Sequence, residues 1–234
     1  MKVWTTLLGT DDYLEAVLTL EESRKRVASK YPLVVICFND LDYNTYESLD
    51  QANIKYETFP RELFQGEKRN KDYSVTIGKF YAYVLKNVSR FCFIDADSFF
   101  VENIDYILDI SVPVFFVFDP SFRNGYTENM NCLTGCIFSD NTSQEKFDCA
   151  FTYKEQCRED EQVLPILADK SKSHMRICYR DWTLRHQMVV FHESAYSTAH
   201  KFWNRPNYDR HAFLNEVIYF FKHDWSYIKS IPEE

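Results

Sequence analysis

Apolar runs and amphipathic stretches alternate from the start of the chain. Val3 to Leu8 (Val-Trp-Thr-Thr-Leu-Leu) predicts a first, central strand. Gly9-Thr10-Asp11-Asp12 then supplies a turn with helix-start chemistry. Over Tyr13 to Ala28, the apolar positions Tyr13, Ala16, Val17, Leu20 and Val27 keep helical spacing. Glu21, Glu22, Arg24, Lys25 and Arg26 make the wet side of that helix. Pro32 opens a second strand, Leu33 to Phe38. A weaker helix over Leu41 to Ala52 and a third strand over Ile54 to Phe59 follow. Strand and helix repeated in this way predict an α/β domain, a mainly parallel sheet with helices on its faces.

Pro60 to Tyr73 is polar, carries Arg61, Lys68, Arg69 and Lys71, and reads as a solvated loop. Val75 to Val88 reads as an amphipathic helix with Phe80, Val84 and Leu85 on one face. Phe91-Cys92-Phe93-Ile94 is a short apolar run, hence a buried strand. It leads straight into Asp95-Ala96-Asp97. Further strands are predicted at Val112 to Phe118, Cys132 to Ser139, Met175 to Tyr179 and Met188 to His192. Helices are predicted at Phe147 to Tyr153, Asp160 to Leu167 and Tyr208 to Trp225. Gly135 inside a strand marks close approach of a ligand or another backbone. No internal repeat or linker divides the chain. The expectation is one domain over 1–234, with a nucleotide-binding half (1–105), a second half (106–207) and a C-terminal helix (208–234).

Composition narrows the function. The 234 residues suffice for a sizeable core, and aromatics at 17% with only 5 Gly argue against disorder. A formal net charge of −8 disfavours a nucleic-acid partner, which needs a basic face. The Cys count of 7 is odd, with no C-x-x-C pair, and several of these residues lie in apolar runs. That pattern predicts reduced thiols and a cytoplasmic setting. Met1 leads directly into the first strand, and no long apolar run predicts a membrane span. The sequons at Asn87 and Asn141 are accordingly expected to be unused.

Asp95 and Asp97 are the leading candidates for chemistry. Two oxygen donors on one turn at a strand end suit a hard cation such as Mg2+ or Mn2+, and open α/β sheets collect ligands at strand carboxyl ends. Alone, such carboxylates also serve as solvated turn residues or helix caps. The order of the other elements decides between these readings.

That order resembles glycosyltransferase family 8, the glycogenin-like enzymes of the GT-A fold, from about Val3 to Asn204. Thr5-Thr6-Leu7-Leu8-Gly9-Thr10-Asp11-Asp12-Tyr13-Leu14 is similar to the family's first strand and uridine loop. Lys79 matches a lysine near the donor. Phe93-Ile94-Asp95-Ala96-Asp97, then Asn103-Ile104-Asp105, resembles the metal motif. Glu161-Gln162 resembles an Asp-Gln pair, and Val190-Phe191-His192 with Lys201-Phe202-Trp203-Asn204 resembles the His and Lys-Pro-Trp element.

The resemblance implies a single GT-A domain with a Rossmann-like, mixed but mainly parallel sheet flanked by helices. It also implies a retaining, metal-dependent hexosyltransferase using a UDP-sugar, glucose first and galactose next. Asp95, Asp97 and His192 would hold Mn2+ (or Mg2+). Leu7, Leu8, Gly9, Thr10, Tyr13, Val75, Lys79, Ala96 and Gly135 would contact the donor. Lys201 would neutralise diphosphate charge, and Asp119, Glu161 and Gln162 would face the sugar. The acceptor would be a glycan, a protein hydroxyl or a small polyol, and a homodimer is implied. Each residue also has a plain reading: Tyr13 as core, Lys79 and Lys201 as solvated lysines, the 159–161 acids as a helix start.

Three departures bear on specificity. Leu133-Thr134-Gly135 stands where the family reads Asn-Ser-Gly, so an amide contact to the sugar is lost. Glu161 replaces Asp. The segment between Gln162 and His192 is shorter than glycogenin's, which argues against self-priming. Two rival classes are a haloacid-dehalogenase-like phosphatase and a non-catalytic sugar-nucleotide or glycan-binding module.

Overall fold

A computed structural model describes residues 1–61, 76–100, 102–110, 114–117, 137–153, 175–178, 190–192, 201–204 and 206–215. The first half follows the alternation of the sequence. Strand β1 (Lys2–Leu8) leads into α1 (Leu14–Arg26) through a 3-10 turn at Asp11–Tyr13. Then come β2 (Leu33–Phe38), α2 (Tyr43–Gln51) and β3 (Lys55–Phe59). After a 3-10 segment at Thr76–Val84 come β4 (Arg90–Ile94), β5 (Ser98–Phe100) and the short α3 (Tyr106–Asp109). The second half contributes β6 (Val114–Val117), β7 (Ile137–Asn141), α4 (Gln144–Tyr153), β8 (Met175–Cys178) and β9 (Val190–His192).

Among the described residues, seven strands form one sheet in the order β3-β2-β1-β4-β7-β6-β8. Strand β1 pairs in parallel with both β2 and β4, and β2 pairs in parallel with β3. Strand β7 runs antiparallel to β4 and to β6, while β8 runs parallel to β6. The sheet is therefore mixed. The chain winds outward from β1 to β3, then returns across β1 to lay down β4 on its other side. The strand order reverses between β1 and β4, and a crevice opens at the carboxyl ends of such a pair.

The central strands β1, β2 and β4 are covered on both faces and read as continuous apolar runs, whereas the edge strand β3 is partly exposed. Trp4, Leu8, Val35, Cys37, Cys92 and Ile94 pack with Ala16, Val17 and Leu20 of α1 on one face. Val3, Val34, Ile36, Phe38, Phe91 and Phe93 pack with Ile77, Phe80, Tyr81 and Tyr83 on the other. That second packing corrects the amphipathic helix expected over Val75 to Val88. Residues Ile77 to Tyr83 are buried on every side, and the backbone there is 3-10. Gly78 shows how closely this segment sits on the sheet. A Cβ there would lie 2.6 Å from Phe38 Cζ and 3.2 Å from Leu7 Cδ1.

Strand β5 and helix α3 are additions to the sequence reading. Asn103 and Asp105, matched above to the metal motif, tie this region to the α1–β2 turn instead. Asp105 accepts from the Lys30 N–H at 2.9 Å and from Ser29 Oγ at 2.5 Å, and Asn103 Nδ2 donates to the Val27 carbonyl at 3.1 Å. The predicted C-terminal helix is seen over 210–215. Arg210 forks onto Glu15 of α1 at 2.7 and 2.8 Å, and Phe213 stacks on Phe202 at 4.7 Å. The helix thus packs on the domain from its first turn. The expected helix at Asp160 to Leu167 and most of the basic loop after Pro60 lie outside the described residues.

Candidate active site

Four segments converge at the carboxyl ends of β1 and β4. Asp95-Ala96-Asp97 is a turn between β4 and β5, closed by the Ser98 N–H donating to the Asp95 carbonyl at 3.1 Å. The core residues of β4 fix where this turn begins. Asp95 remains part-exposed, with 22% of its side chain accessible, whereas Asp97 is at 10%.

Each carboxylate carries its own lysine. Lys79, from the 3-10 segment, places Nζ 3.5 Å from Asp95 Oδ1 and 5.3 Å from the centre of the Phe93 ring. Lys201 Nζ forms an ion pair with Asp97 Oδ2, and its side chain is only 5% exposed. Neither lysine is solvated, so the plain reading of both is overturned. Burying an ammonium is tolerated only where it is paired. The aromatic residues after Lys201 hold it there. Phe202 and Trp203 are buried in the α1-side core, and the 3-10 turn Phe202–Asn204 closes with the Asn204 N–H on the Lys201 carbonyl at 3.0 Å.

Tyr13 lies beside this anchor. Its ring meets Trp203 edge-on at 5.1 Å, and it is half-buried against the core. Leu7 is half-buried, Leu8 and Gly9 are buried and Thr10 is exposed. The loop Leu7 to Thr10 therefore sits at the crevice with its tip toward solvent. Trp203 adds a polar feature: its buried Nε1 has no hydrogen-bond partner among the described residues.

The 190–192 strand reaches the site through β5. Strands β5 and β9 pair antiparallel, with His192 opposite Ser98, one residue beyond Asp97. Pairing thus brings the His192 backbone to the carboxylate turn across 94 positions of sequence. Two carboxylates on one turn are oxygen donors of the kind that suit a hard divalent cation, and among the described residues no group of three His, Cys, Asp or Glu side chains gathers into a metal cluster. Val75, Gly135, Asp119, Glu161 and Gln162 lie outside the described residues.

Neither Cys37 nor Cys92 is a candidate for chemistry. Burial pushes Cys37 up to about 12 and Cys92 well above the ordinary thiol range, so neither forms a thiolate near neutrality. Neither Cys37 nor Cys92 forms a disulfide.

Arg61 and Asp40 were missed in the sequence, where Arg61 reads as part of a solvated loop. Arg61 makes a two-pronged ion pair with Asp40 and also donates to the Gly9 carbonyl. Its position two residues past the carboxyl end of a parallel strand is the signal available for it.

No protein-family model matches the chain. Curated relatives do. Galactinol synthase 1 of Ajuga reptans is 32% identical over 108 residues, 45% of this chain and 32% of that protein. Galactinol synthase 2 of Arabidopsis thaliana is 29% identical over 110 residues. The matched stretch is about a third of those relatives' length. Solved structures cover nearly the whole chain. An active-site mutant of LgtC superposes with a TM-score of 0.63 at 12% identity, covering 93% of this chain and 95% of that one. The galactosyltransferase LgtC in complex with donor and acceptor sugar analogs gives 0.60 at 12% identity over 100% of this chain and 98% of that one. GlyE of Streptococcus pneumoniae TIGR4 gives 0.55 at 14% identity, covering 97% of this chain and 63% of that one. Among the described residues, no helix is long and apolar enough to cross a membrane. Sheet order, the carboxylate turn at its switch point and the superpositions agree: the chain has the GT-A fold of these glycosyltransferases, and a stretch of it is similar in sequence to galactinol synthases.

Proposed function

We propose that this chain transfers a hexose from a UDP-sugar to a hydroxyl acceptor, with retention of anomeric configuration and with a divalent cation. The observation that carries the proposal is the convergence at the β1–β4 switch point. Two carboxylates, two buried lysines and the register position of His192 meet there. A site made to hold a nucleoside diphosphate needs that mixture of fixed charges.

Asp95, Asp97 and His192 would hold the cation, Mn2+ by preference. When bound, it acts as a Lewis acid toward the departing diphosphate. The chain's own groups then divide the work. Lys201 is held at the edge of the carboxylate turn by the buried Phe202 and Trp203. From there its ammonium offers charge to the β-phosphate oxygens, where negative charge grows as the glycosidic bond breaks. Lys79 holds the Asp95 carboxylate in place. Leu7 to Thr10 and Tyr13 would form the uracil side, with backbone groups on the base edge and the Tyr13 ring against its face. Val75 would line the base pocket, and Ala96 and Gly135 would contact the donor. Asp119, Glu161 and Gln162 would face the hexose, with either acid stabilising an oxocarbenium-like state or acting as nucleophile; diphosphate-guided front-face attack is the alternative route.

The donor order of the sequence reading shifts here. Glucose stands first on resemblance alone, but the superposing LgtC is a galactosyltransferase and the curated relatives are galactinol synthases. Galactose therefore moves level with glucose. The acceptor class remains a glycan, a protein hydroxyl or a small polyol. A homodimer and a cytoplasmic location are parts of the same proposal. A panel of UDP-sugars with Mn2+, scored for both transfer and hydrolysis, tests it. Turnover of UDP-galactose or UDP-glucose is expected. Hydrolysis of simple phosphate esters without any UDP-sugar turnover would favour the phosphatase class instead.

A further inference from the structure

One guanidinium that the proposed chemistry does not use ties together three strand ends. Arg61 follows β3, Asp40 follows β2 and Gly9 follows β1. Arg61 Nε and Nη2 donate to the two Asp40 oxygens at 2.6 and 2.8 Å. Nη2 also donates to the Gly9 carbonyl at 2.7 Å. The guanidinium lies 4.3 Å from the centre of the Phe38 ring. A planar fork on a carboxylate has little freedom to turn, so the remaining donor is aimed as well. Only 21% of the Arg61 side chain is exposed. This is a fixed brace rather than a solvated loop arginine.

The brace sets the orientation of one peptide. The Gly9–Thr10 unit is planar and trans, so with its carbonyl drawn to Arg61 the Thr10 N–H points the opposite way. In the sheet order, β4 lies across β1 from β2 and β3, so that edge of the loop is turned toward the side of Asp95 and Asp97. The far end of the loop is pinned independently. Asp11 Oδ1 accepts from the Asp42 N–H at 3.0 Å and from Thr45 Oγ1 at 2.6 Å, and the Tyr13 N–H donates to the Thr10 carbonyl at 3.1 Å.

We propose that Arg61 is a positioning residue for nucleobase selection: it holds the Gly9–Thr10 peptide in the orientation that reads uracil, acting through Gly9 and Asp40. The proposal rests on the UDP-sugar reading above. It separates base recognition from diphosphate recognition, because Arg61 faces the loop and not the carboxylate turn.

The test uses the full chain with Mn2+ and compares two probes by calorimetry, UDP and inorganic pyrophosphate. Arg61→Met is expected to weaken UDP binding about tenfold, the scale of one charge-assisted hydrogen bond. Pyrophosphate binding should stay within about twofold, and preference for UDP over CDP should fall. Arg61→Lys, which keeps the charge but cannot fork, should fall between wild type and Arg61→Met. Should Arg61→Met not fold, Asp40→Asn reads the same ratio, with about a threefold loss for UDP expected. Equal weakening of both probes, or an unchanged ratio, overturns the inference and leaves the UDP-sugar reading standing. A folded wild-type protein that binds no UDP overturns both.

Discussion

Replacing Asp97 by Ala separates what the Asp97–Lys201 pair does for the fold from what it does for the site. The two side chains are 10% and 5% exposed, so neither is well screened by water. Removing one partner of a buried pair typically costs about 3–5 kcal/mol. Asp97 sits next to a part-exposed carboxylate, and solvent reaches that turn, so the lower end, about 3 kcal/mol, is expected for Asp97→Ala. Lys201→Met keeps most of the apolar stem packed and removes the ammonium; about 2 kcal/mol is expected. The double variant should cost less than the sum, with a coupling energy of about 2 kcal/mol. Urea unfolding followed by tryptophan fluorescence measures all three. The same proteins are assayed for UDP-sugar turnover, and the double variant should be no less stable than Asp97→Ala and no more active. Stability losses that add within about 0.5 kcal/mol would refute the reasoning, because they would mean the two charges do not interact.

Other consequences follow from single contacts. Gly78→Ala forces a Cβ to within 2.6 Å of Phe38 Cζ, and should cost about 1–3 kcal/mol in a thermal melt; Phe38→Leu in the same chain should recover part of it. Asp109 is held below the usual carboxylate range by hydrogen bonds from Lys2, then Tyr31, then Lys30. A lowered folded value means that its contribution is complete above about pH 4 and is lost as pH falls through the lowered value. Asp109→Asn should therefore reduce stability at pH 7 and have less effect at pH 3, measured by urea titration at each pH. An equal loss at both values would show that the charge is not what matters.

The first half of the domain was legible because its central strands β1, β2 and β4 are buried on both faces. Leu33 to Phe38 coincides with β2, and the apolar run before Asp95 lies within β4. Reading failed where burial no longer alternates with exposure. In Thr76–Val84, Phe80 and Val84 have helical spacing, but neighbours between them are buried too, so the period carried no information about a wet face. Strand β5 is three residues long and has meaning only through its pairing with β9, far along the chain. Propensity over three residues cannot reveal that. At the site, the carboxylates and lysines were legible as residue types in order. That Lys201 meets Asp97 was not, because it depends on how the 201–204 turn docks against α1. Arg61 was misread for a similar reason: a polar stretch after a strand looks solvated until the partners at Gly9 and Asp40, on two other strands, are seen beside it.

The central claim is metal-dependent UDP-sugar turnover at the Asp95-Ala96-Asp97 turn. Its most direct test is UDP release from UDP-galactose and UDP-glucose by the wild-type chain and by Asp97→Ala, with Mn2+ and after chelation. The account predicts release by the wild type with Mn2+, little after chelation, and a loss of at least about a hundredfold in Asp97→Ala. Undiminished UDP release by folded Asp97→Ala would contradict it.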